Sequence, residues 1–353
     1  MSILLSLLAV LIAASGLFAH QFPTFFPELG ITALYHVGRI KWGIRIVALA
    51  LAVVALALGP TTGKFMLLGA TLWLSLISNS VFDPTLVLPA IDEPKHRLAS
   101  DVKPSGLVDE ALVLGTVVGA AGAAACAWSI EMLLPHHVVN DVVGNAPVAA
   151  TWCAACRSGI VFSRSIKGRT LTFEVAGLWR RNLILRDRET ETLWQQATGE
   201  ALIGPLQGAT LELLTSTQST WAGWRAEHPD TELSLRPKEA KGLLPLDVIE
   251  GALGFTTARF TMPGLFHTDH RLPPLTEMVG ITVAGESKAY PLSVLIKKLN
   301  VEDHIGGSPI KINFDALQNQ VRAVAAGKPL LVQRQLWSGW SEFHPGSAVY
   351  GIG

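Results

Sequence analysis

The hydrophobic pattern changes character about a quarter of the way along the chain. Up to residue 90 the only charged positions are Glu28, Arg39, Lys41, Arg45, Lys64 and Asp83. Between them run three uncharged apolar stretches, Ile3–Ala19, Ile46–Gly59 and Phe65–Phe82. A helix needs about 20 apolar residues to cross a bilayer, with about 17 as a lower limit. The first and third runs meet that limit. The second meets it by taking in Trp42–Arg45, with Arg45 snorkelling to the interface. Pro60-Thr61-Thr62-Gly63 predicts a tight turn between antiparallel spans. The pattern therefore predicts about three transmembrane helices over residues 1–89. A signal peptide is the alternative for the first run, but no basic segment precedes it, and Leu17-Phe18-Ala19 is a poor cleavage site.

A fourth apolar stretch, Ala111–Leu134, imitates a span until the rest of the chain is compared with it. Leu114-Gly115-Thr116-Val117-Val118-Gly119 resembles Val279-Gly280-Ile281-Thr282-Val283-Ala284. Val139-Asn140-Asp141, then Gly144-Asn145-Ala146-Pro147-Val148, resembles Val301-Glu302-Asp303, then Gly306-Gly307-Ser308-Pro309-Ile310. Trp221-Ala222-Gly223-Trp224 with His228-Pro229 recurs as Trp337-Ser338-Gly339-Trp340 with His344-Pro345. The order is the same in both halves, which predicts two copies of one unit over residues 90–234 and 235–353. Glu286, Lys288, Lys297 and Lys298 make the second copy soluble in character, so the first is expected to be protein core as well. Its predicted form is a β-hairpin, Leu112–Val118 and Ala123–Ala127 with Gly119 and Gly122 at the turn, then a helix over Ser129–His137.

Short β-favouring runs follow at Ile160–Ser163, Thr170–Val175 and Leu183–Arg186, and Ser219–His228 reads as a helix stopped by Pro229. Between Trp152 and Trp221 lie 69 positions, against 23 between Phe314 and Trp337, so copy one carries about 46 extra residues. Leu235–Leu244 is a polar link opening the second copy's segment. The expected fold class is α+β: N-terminal transmembrane helices, then a strand-rich globular domain built from two internal repeats.

Composition adds limits. The chain has 353 residues, 49% hydrophobic and 16% charged, against about 25% charged in typical domains. Its mean hydropathy is +0.38. This excludes disorder and a disulfide-dense miniprotein. The 28 basic and 28 acidic residues cancel, so no basic field invites nucleic acid. The expected partners are the lipid bilayer and, on one reading, other subunits of a membrane complex.

The sharpest chemical signal is Trp152-Cys153-Ala154-Ala155-Cys156. Two thiols three apart can close a disulfide, hold a soft metal ion, or act as an attacking and resolving pair. The Trp before the pair is similar to thioredoxin-type sites, but there the motif caps a helix. Here Arg157-Ser158-Gly159 and the β-favouring Ile160-Val161-Phe162 follow. A metal would need further ligands, and His137, with His136, is the nearest candidate; a Cys2His set suits copper(I) or zinc. In the redox reading Cys153 attacks and Cys156 resolves. In a third reading the pair is a staple in an interaction module. Asp141, Trp152, Trp194 and Gln195 are candidate lining residues.

In the second copy Asp315 falls at Cys153, Leu317 near Cys156 and Val301 near His137, so one equipped half and one supporting half are expected. Cys126, matched with Tyr290, reads as a buried small hydrophobe. Asp187–Thr192 reads as a hairpin turn with a solvated face, and Trp194 as a core residue. His267-Thr268-Asp269-His270 offers a metal corner, but its flanking prolines favour a solvated loop. No Gly-rich phosphate loop, HExxH or GxSxG is present.

Several segments together resemble the bacterial Domain of Unknown Function 3179 family. They are Ala90-Ile91-Asp92 with Pro94-Lys95, His137-Val138-Val139-Asn140-Asp141, Thr151–Phe162, Asp187-Arg188-Glu189-Thr190 with Leu193-Trp194-Gln195, and Thr198-Gly199-Glu200-Ala201. In the second copy Asp269 with Arg271-Leu272-Pro273-Pro274, and Ala289-Tyr290-Pro291-Leu292, also match. Members usually have Pro-Leu where Ala154-Ala155 stand, a more polar strand at Ala123–Ala127, and an acidic residue at His270. The resemblance implies a bacterial inner-membrane protein with an extracytoplasmic domain, and no particular reaction. The charges argue for the other side, since Lys64 alone stands against Arg39, Lys41, Arg45, Lys95, Arg97 and Lys103 under the positive-inside rule; the expectation follows the resemblance, with the globular domain extracytoplasmic.

Overall fold

The computed structural model describes residues 2–20, 23, 30–78, 83–103, 106–119, 123–238 and 269–352. The anchor region contains α1 (Ser2–Ser15), α2 (Gly30–Tyr35), α3 (Val37–Ala57) and α4 (Thr62–Ile77). Helices α1, α3 and α4 pack on one another. Their contacts are made by small side chains, with Ala9, Ala13, Ala48, Ala52 and Ala55 buried, while Leu4, Leu11, Ile46, Met66, Trp73 and Leu76 face outward. Small side chains thus lie between the helices and large apolar ones on their outer faces.

Among the described residues one helix, α3, is long and apolar enough to cross a membrane. Its 21 residues extend about 31 Å at about 1.5 Å each. Helix α4 has 16 residues, about 24 Å, short of the roughly 30 Å hydrocarbon layer. The apolar helix that includes α1 stops at Phe18. Apolar composition overstated the spans because it did not see where the helices end. Arg45 does not snorkel: its guanidinium is buried and hydrogen-bonds Ser78 Oγ through Nε at 3.2 Å and Nη2 at 2.9 Å. The turn before α4 is as expected, with Thr61 capping the helix by accepting from Lys64 N.

Beyond α5 (Pro84–Val87) the chain is strand-rich. Strands β1 (Ile91–Asp92), β2 (His96–Leu98), β3 (Leu112–Val118) and β4 (Ala124–Ser129) lead to α6 (Ile130–Leu133). Then come β5 (Val138–Val143), β6 (Ala146–Cys153), β7 (Ser158–Ser163), and the small hairpin β8 (Ser165–Ile166) and β9 (Arg169–Thr170). Ala111–Leu134 is thus protein core, a hairpin and one helical turn with Leu114, Cys126 and Trp128 fully buried. The helix is shorter than expected because His137 takes a left-handed backbone, φ +61°. Gly119 has positive φ at the end of β3, and Gly122 lies outside the described residues.

Strands β10 (Phe173–Trp179), β11 (Asn182–Asp187), β12 (Leu193–Gln195) and β13 (Ala201–Ile203) form a separate sheet, built by the extra length of the first half. After β14 (Leu213–Leu214) and β15 (Ser216–Thr220) come α7 (Trp221–Glu227) and β16 (Glu232–Ser234). The link expected over Leu235–Leu244 is described only to residue 238, and His267 and Thr268 lie outside the described residues.

The C-terminal half runs through β17 (Glu277–Val283), β18 (Glu286–Pro291), α8 (Leu292–Lys298), β19 (Asn300–Ile305), β20 (Ser308–Asp315), β21 (Gln320–Ala325) and β22 (Lys328–Pro329). It ends in β23 (Gln333–Leu336), α9 (Trp337–Phe343) and β24 (Ala348–Val349). Strand order is β15-β3-β4-β16-β2 in one half and β23-β17-β18-β24 in the other; β5-β6-β7 finds its counterpart in β19-β20-β21. Leu114 pairs with Trp128 as Val279 pairs with Tyr290. Trp152 N donates to His137 O as Phe314 N donates to Leu299 O.

This register corrects three residue matches. Leu299, at φ +60°, stands where His137 is; Gln318 rather than Leu317 stands at Cys156; and Lys288, not Tyr290, stands at Cys126. The halves also make reciprocal backbone bonds just ahead of α7 and α9. Leu336 N, before α9, donates to Cys156 O at 2.8 Å, and Thr220 N, before α7, donates to Gln318 O at 2.9 Å.

Candidate functional site

Strand β6 ends on Cys153 and β7 begins on Ser158, and these two residues pair in register. Ala154–Arg157 form the turn, with Arg157 at φ +51°. The motif joins two antiparallel strands and opens no helix, which excludes the thioredoxin-type arrangement. Both cysteines are free thiols and fully buried, as is Cys126. Both pack in a first-half core, and α9 of the other half closes on Cys156. A Cβ on Gly339 would fall 2.6 Å from Cys156 Cβ, so only glycine lets α9 seat there.

Polar groups converge on one sulfur. Asn182 Nδ2 donates to Cys156 Sγ at 3.3 Å, and Ser158 Oγ lies 3.3 Å away. Asn182 gives its second amide proton to Gln196 Oε1 at 2.9 Å, while its Oδ1 accepts from Gln195 Nε2 and Ala197 N. Gln196 Nε2 in turn donates to Thr151 Oγ1 and Ser158 O. These bonds lock the orientation of both amides. Ser158 has one hydroxyl proton, which goes to Gln196 Oε1 when Cys156 is a thiol and can turn to the sulfur when it is a thiolate.

Burial pushes the Cys156 thiol up, but the Cys153 thiol, Ser158 and Asn182 outweigh it and hold Cys156 below the usual thiol range. Cys153 goes the other way, driven well up by burial and then by its own bond to Cys156. The polar contacts thus favour Cys156 over Cys153 as the thiolate, the opposite of the order expected from the sequence.

The other expected site residues separate. His137 has its Nδ1 buried without a partner, and burial lowers its pKa to about 4, so the ring is neutral. Among the described residues, the three-residue set whose ligand atoms lie within 4.8 Å of one another is His96, Cys126 and Asp141. Cys153, Cys156 and His137, the residues expected to hold copper or zinc, are not such a set among the described residues. What position 137 supplies is backbone geometry, which Leu299 supplies equally well.

Asp141 belongs to that other cluster, accepting from Trp128 Nε1 at 2.8 Å and Ser234 Oγ at 3.1 Å. Trp194 shares a core with both cysteines, and its Nε1 donates to Asp187 Oδ2 at 2.8 Å. Asp187 is fully buried rather than solvated, and also accepts from Thr190 N. Trp152 packs in the neighbouring core. Gln195 touches the thiols only through Asn182. Asp269 is held by Arg271.

Asn182, Gln196 and Ser158 were missed because amides and hydroxyls on two separate strands and the turn after a third carry no spacing signal. Three segments quoted for the family resemblance do meet. Asp92 accepts from Asn140 Nδ2 at 2.8 Å and from Arg188 Nη1 at 2.6 Å, tying the entry segment to two later ones. A family model described as Protein of unknown function (DUF3179) matches residues 87–337. No curated protein matches the chain, and no solved structure does.

Proposed function

The chain belongs to the family described as Protein of unknown function (DUF3179), which brings no reaction with it, and from the site itself we propose a membrane-anchored thiol–disulfide redox protein working through Cys153 and Cys156. The observation that carries this reading is the convergence of Cys153, Ser158 and Asn182 on the Cys156 sulfur. Hydrogen bonds to a thiolate lower its pKa, and the thiolate is the nucleophile.

In the proposed reaction Cys156 attacks one sulfur of a disulfide substrate, forms a mixed disulfide and expels the first thiolate. Cys153 then loses its proton and attacks the Cys156 sulfur, which releases the second thiolate and closes the Cys153–Cys156 disulfide. Two protein thiols are oxidised and one substrate disulfide is reduced to two thiols. Because α9 covers the pair, reaction requires that helix to lift.

The two halves are read as copies of one unit, of which only the first kept this chemistry; Asp315, Gln318 and Gln320 replace Cys153, Cys156 and Ser158. The alanine-lined, leucine-faced packing of α1, α3 and α4 supports the membrane anchor.

The test is equilibration of the full chain in detergent against a graded thiol–disulfide buffer, read by mass spectrometry. The reading expects a reversible two-electron couple, lost in Cys153→Ser and Cys156→Ser. It also expects faster alkylation at neutral pH of Cys156 in Cys153→Ser than of Cys153 in Cys156→Ser. A pair that never oxidises, a potential below about −300 mV as for a structural staple, or the opposite order of reactivity overturns it.

A further inference from the structure

A second cluster lies on the face of the first half away from the thiol pair. His96 on edge strand β2, Cys126 on β4 and Asp141 on β5 bring one nitrogen, one sulfur and one oxygen donor within 4.8 Å of one another. His96 Nε2 points at Asp141 Oδ1, 2.8 Å away, and its other nitrogen, Nδ1, lies 3.2 Å from Glu232 Oε2. Asp141 Oδ2 is held by Trp128 Nε1 and Ser234 Oγ, and Oδ1 by Val142 N. Cys126 is fully buried, with its thiol 3.9 Å from the Ala127 carbonyl.

The second half shows what this place requires. Asp303 corresponds to Asp141 and is held likewise, by the Tyr290 hydroxyl and by His304 N. In addition Lys288, at the register position of Cys126, sets its ammonium 2.7 Å from Asp303 Oδ2. One half thus carries its own cation on the aspartate. The other has replaced that lysine with a thiol and has buried the carboxylate deeper, 2% exposed against 17%. A buried carboxylate demands a countercharge; His96, 2.8 Å from Asp141 Oδ1, gives one only when protonated, and with the ring neutral a cation held between the two supplies it.

We propose that His96, Cys126 and Asp141 bind one borderline-soft divalent cation of the zinc class, which stands in the first half where the Lys288 ammonium stands in the second. The donor types are those of zinc sites, and three protein ligands leave one position open. The surroundings match as well, since a ligating histidine commonly gives its second nitrogen to a carboxylate, here Glu232, and a ligating carboxylate is held by outer hydrogen bonds, here Trp128 and Ser234. In a tetrahedral zinc site donor atoms lie about 3.3–3.8 Å apart, so His96 and Asp141 separate slightly and Cys126 draws in. Glu232 also lines a surface cavity of about 480 Å³ with Leu98, Ala125 and Gly144.

The experiment uses the full chain in detergent with Cys153→Ser and Cys156→Ser in place, so that Cys126 is the one remaining cysteine and the outcome is independent of the redox reading. Cobalt(II) is the probe. The expected result is one bound equivalent by elemental analysis and a thiolate-to-cobalt charge-transfer band, displaced by zinc. Both are lost in His96→Ala and in Cys126→Lys. The lysine variant copies the second half's arrangement and is expected to stay folded by circular dichroism while binding no ion. A folded parent protein that shows no charge-transfer band, or a Cys126→Lys variant that still binds one equivalent, overturns the proposal.

Discussion

Replacing Gly339 by alanine separates a cover from a bystander. A Cβ at that position lies 2.6 Å from Cys156 Cβ, 3.2 Å from Gln335 Oε1 and 3.5 Å from Cys156 Sγ. Carbon atoms in contact rest about 3.5–4.0 Å apart, so the overlap is about 1 Å. Neither carbon can rotate away, because each is a Cβ fixed by backbone, and the bond from Leu336 N to Cys156 O ties the two segments together. Helix α9 must lift by roughly an ångström, at a cost of about 1–3 kcal/mol for an overpacked contact. If lifting α9 is the opening through which the thiols react, the same energy leaves the closed state. Alkylation of Cys156 then rises about 5- to 150-fold when reclosing is fast. The assay is timed iodoacetamide labelling of the reduced full chain, read by peptide mass spectrometry, beside a thermal melt. Gly223→Ala is the control: its Cβ would meet Gln318 Cβ at 2.7 Å in the mirrored contact. That variant should lose comparable stability and leave labelling unchanged. A destabilised Gly339→Ala with unaltered labelling, or equal acceleration by both variants, refutes the idea that α9 gates the pair.

Asn182→Leu removes a donor from Cys156 and strands Gln195 Nε2 and Ala197 N. It should cost about 1–3 kcal/mol for each orphaned buried group and move the pH midpoint of Cys156 labelling upward; an unmoved midpoint means the amide does not support the thiolate. His137→Leu copies Leu299 and should change stability by less than about 1 kcal/mol and the redox couple not at all, whereas a shifted potential would give the ring a role. Asp303 is pushed up by burial but held below its ordinary value by Lys288, His304 N and Tyr290. Its folded pKa is thus lower than its unfolded one, so its contribution is full above about pH 4 and fades as pH falls through the folded value. The stability gap between the native chain and Asp303→Asn should shrink on acidification below about pH 4, and a constant gap in denaturant titrations would contradict the assignment.

How much was legible depended on whether the cause was local. Strand β3 came out at Leu112–Val118 because a β-favouring run ended by a glycine is a local signal, and the Cys153–Cys156 pair stood out because thiols are rare. The helix expected over Ser129–His137 overshot because its stop is a backbone conformation at His137, a residue type that sets no boundary by itself. The halves were matched by letters, so errors of one or two positions entered wherever the letters had diverged. Backbone hydrogen bonds fix the true register, and it is that register which turns Lys288 into the counterpart of Cys126. The thiol site's support was hidden for a different reason. Asn182, Ser158 and Gln196 sit on or beside separate strands, and Gly339 reaches Cys156 from the opposite half, so no sequence window holds two of the relevant contacts together. The same comparison shows where chemistry concentrates. Among the positions that match in backbone bonding and differ in side chain are Cys153 and Asp315, Cys156 and Gln318, and Cys126 and Lys288, where a thiol in one half faces a polar or charged group in the other. Two of those pairs fall at the dithiol and the third at the His96–Asp141 cluster, and that is the physical ground for testing both places.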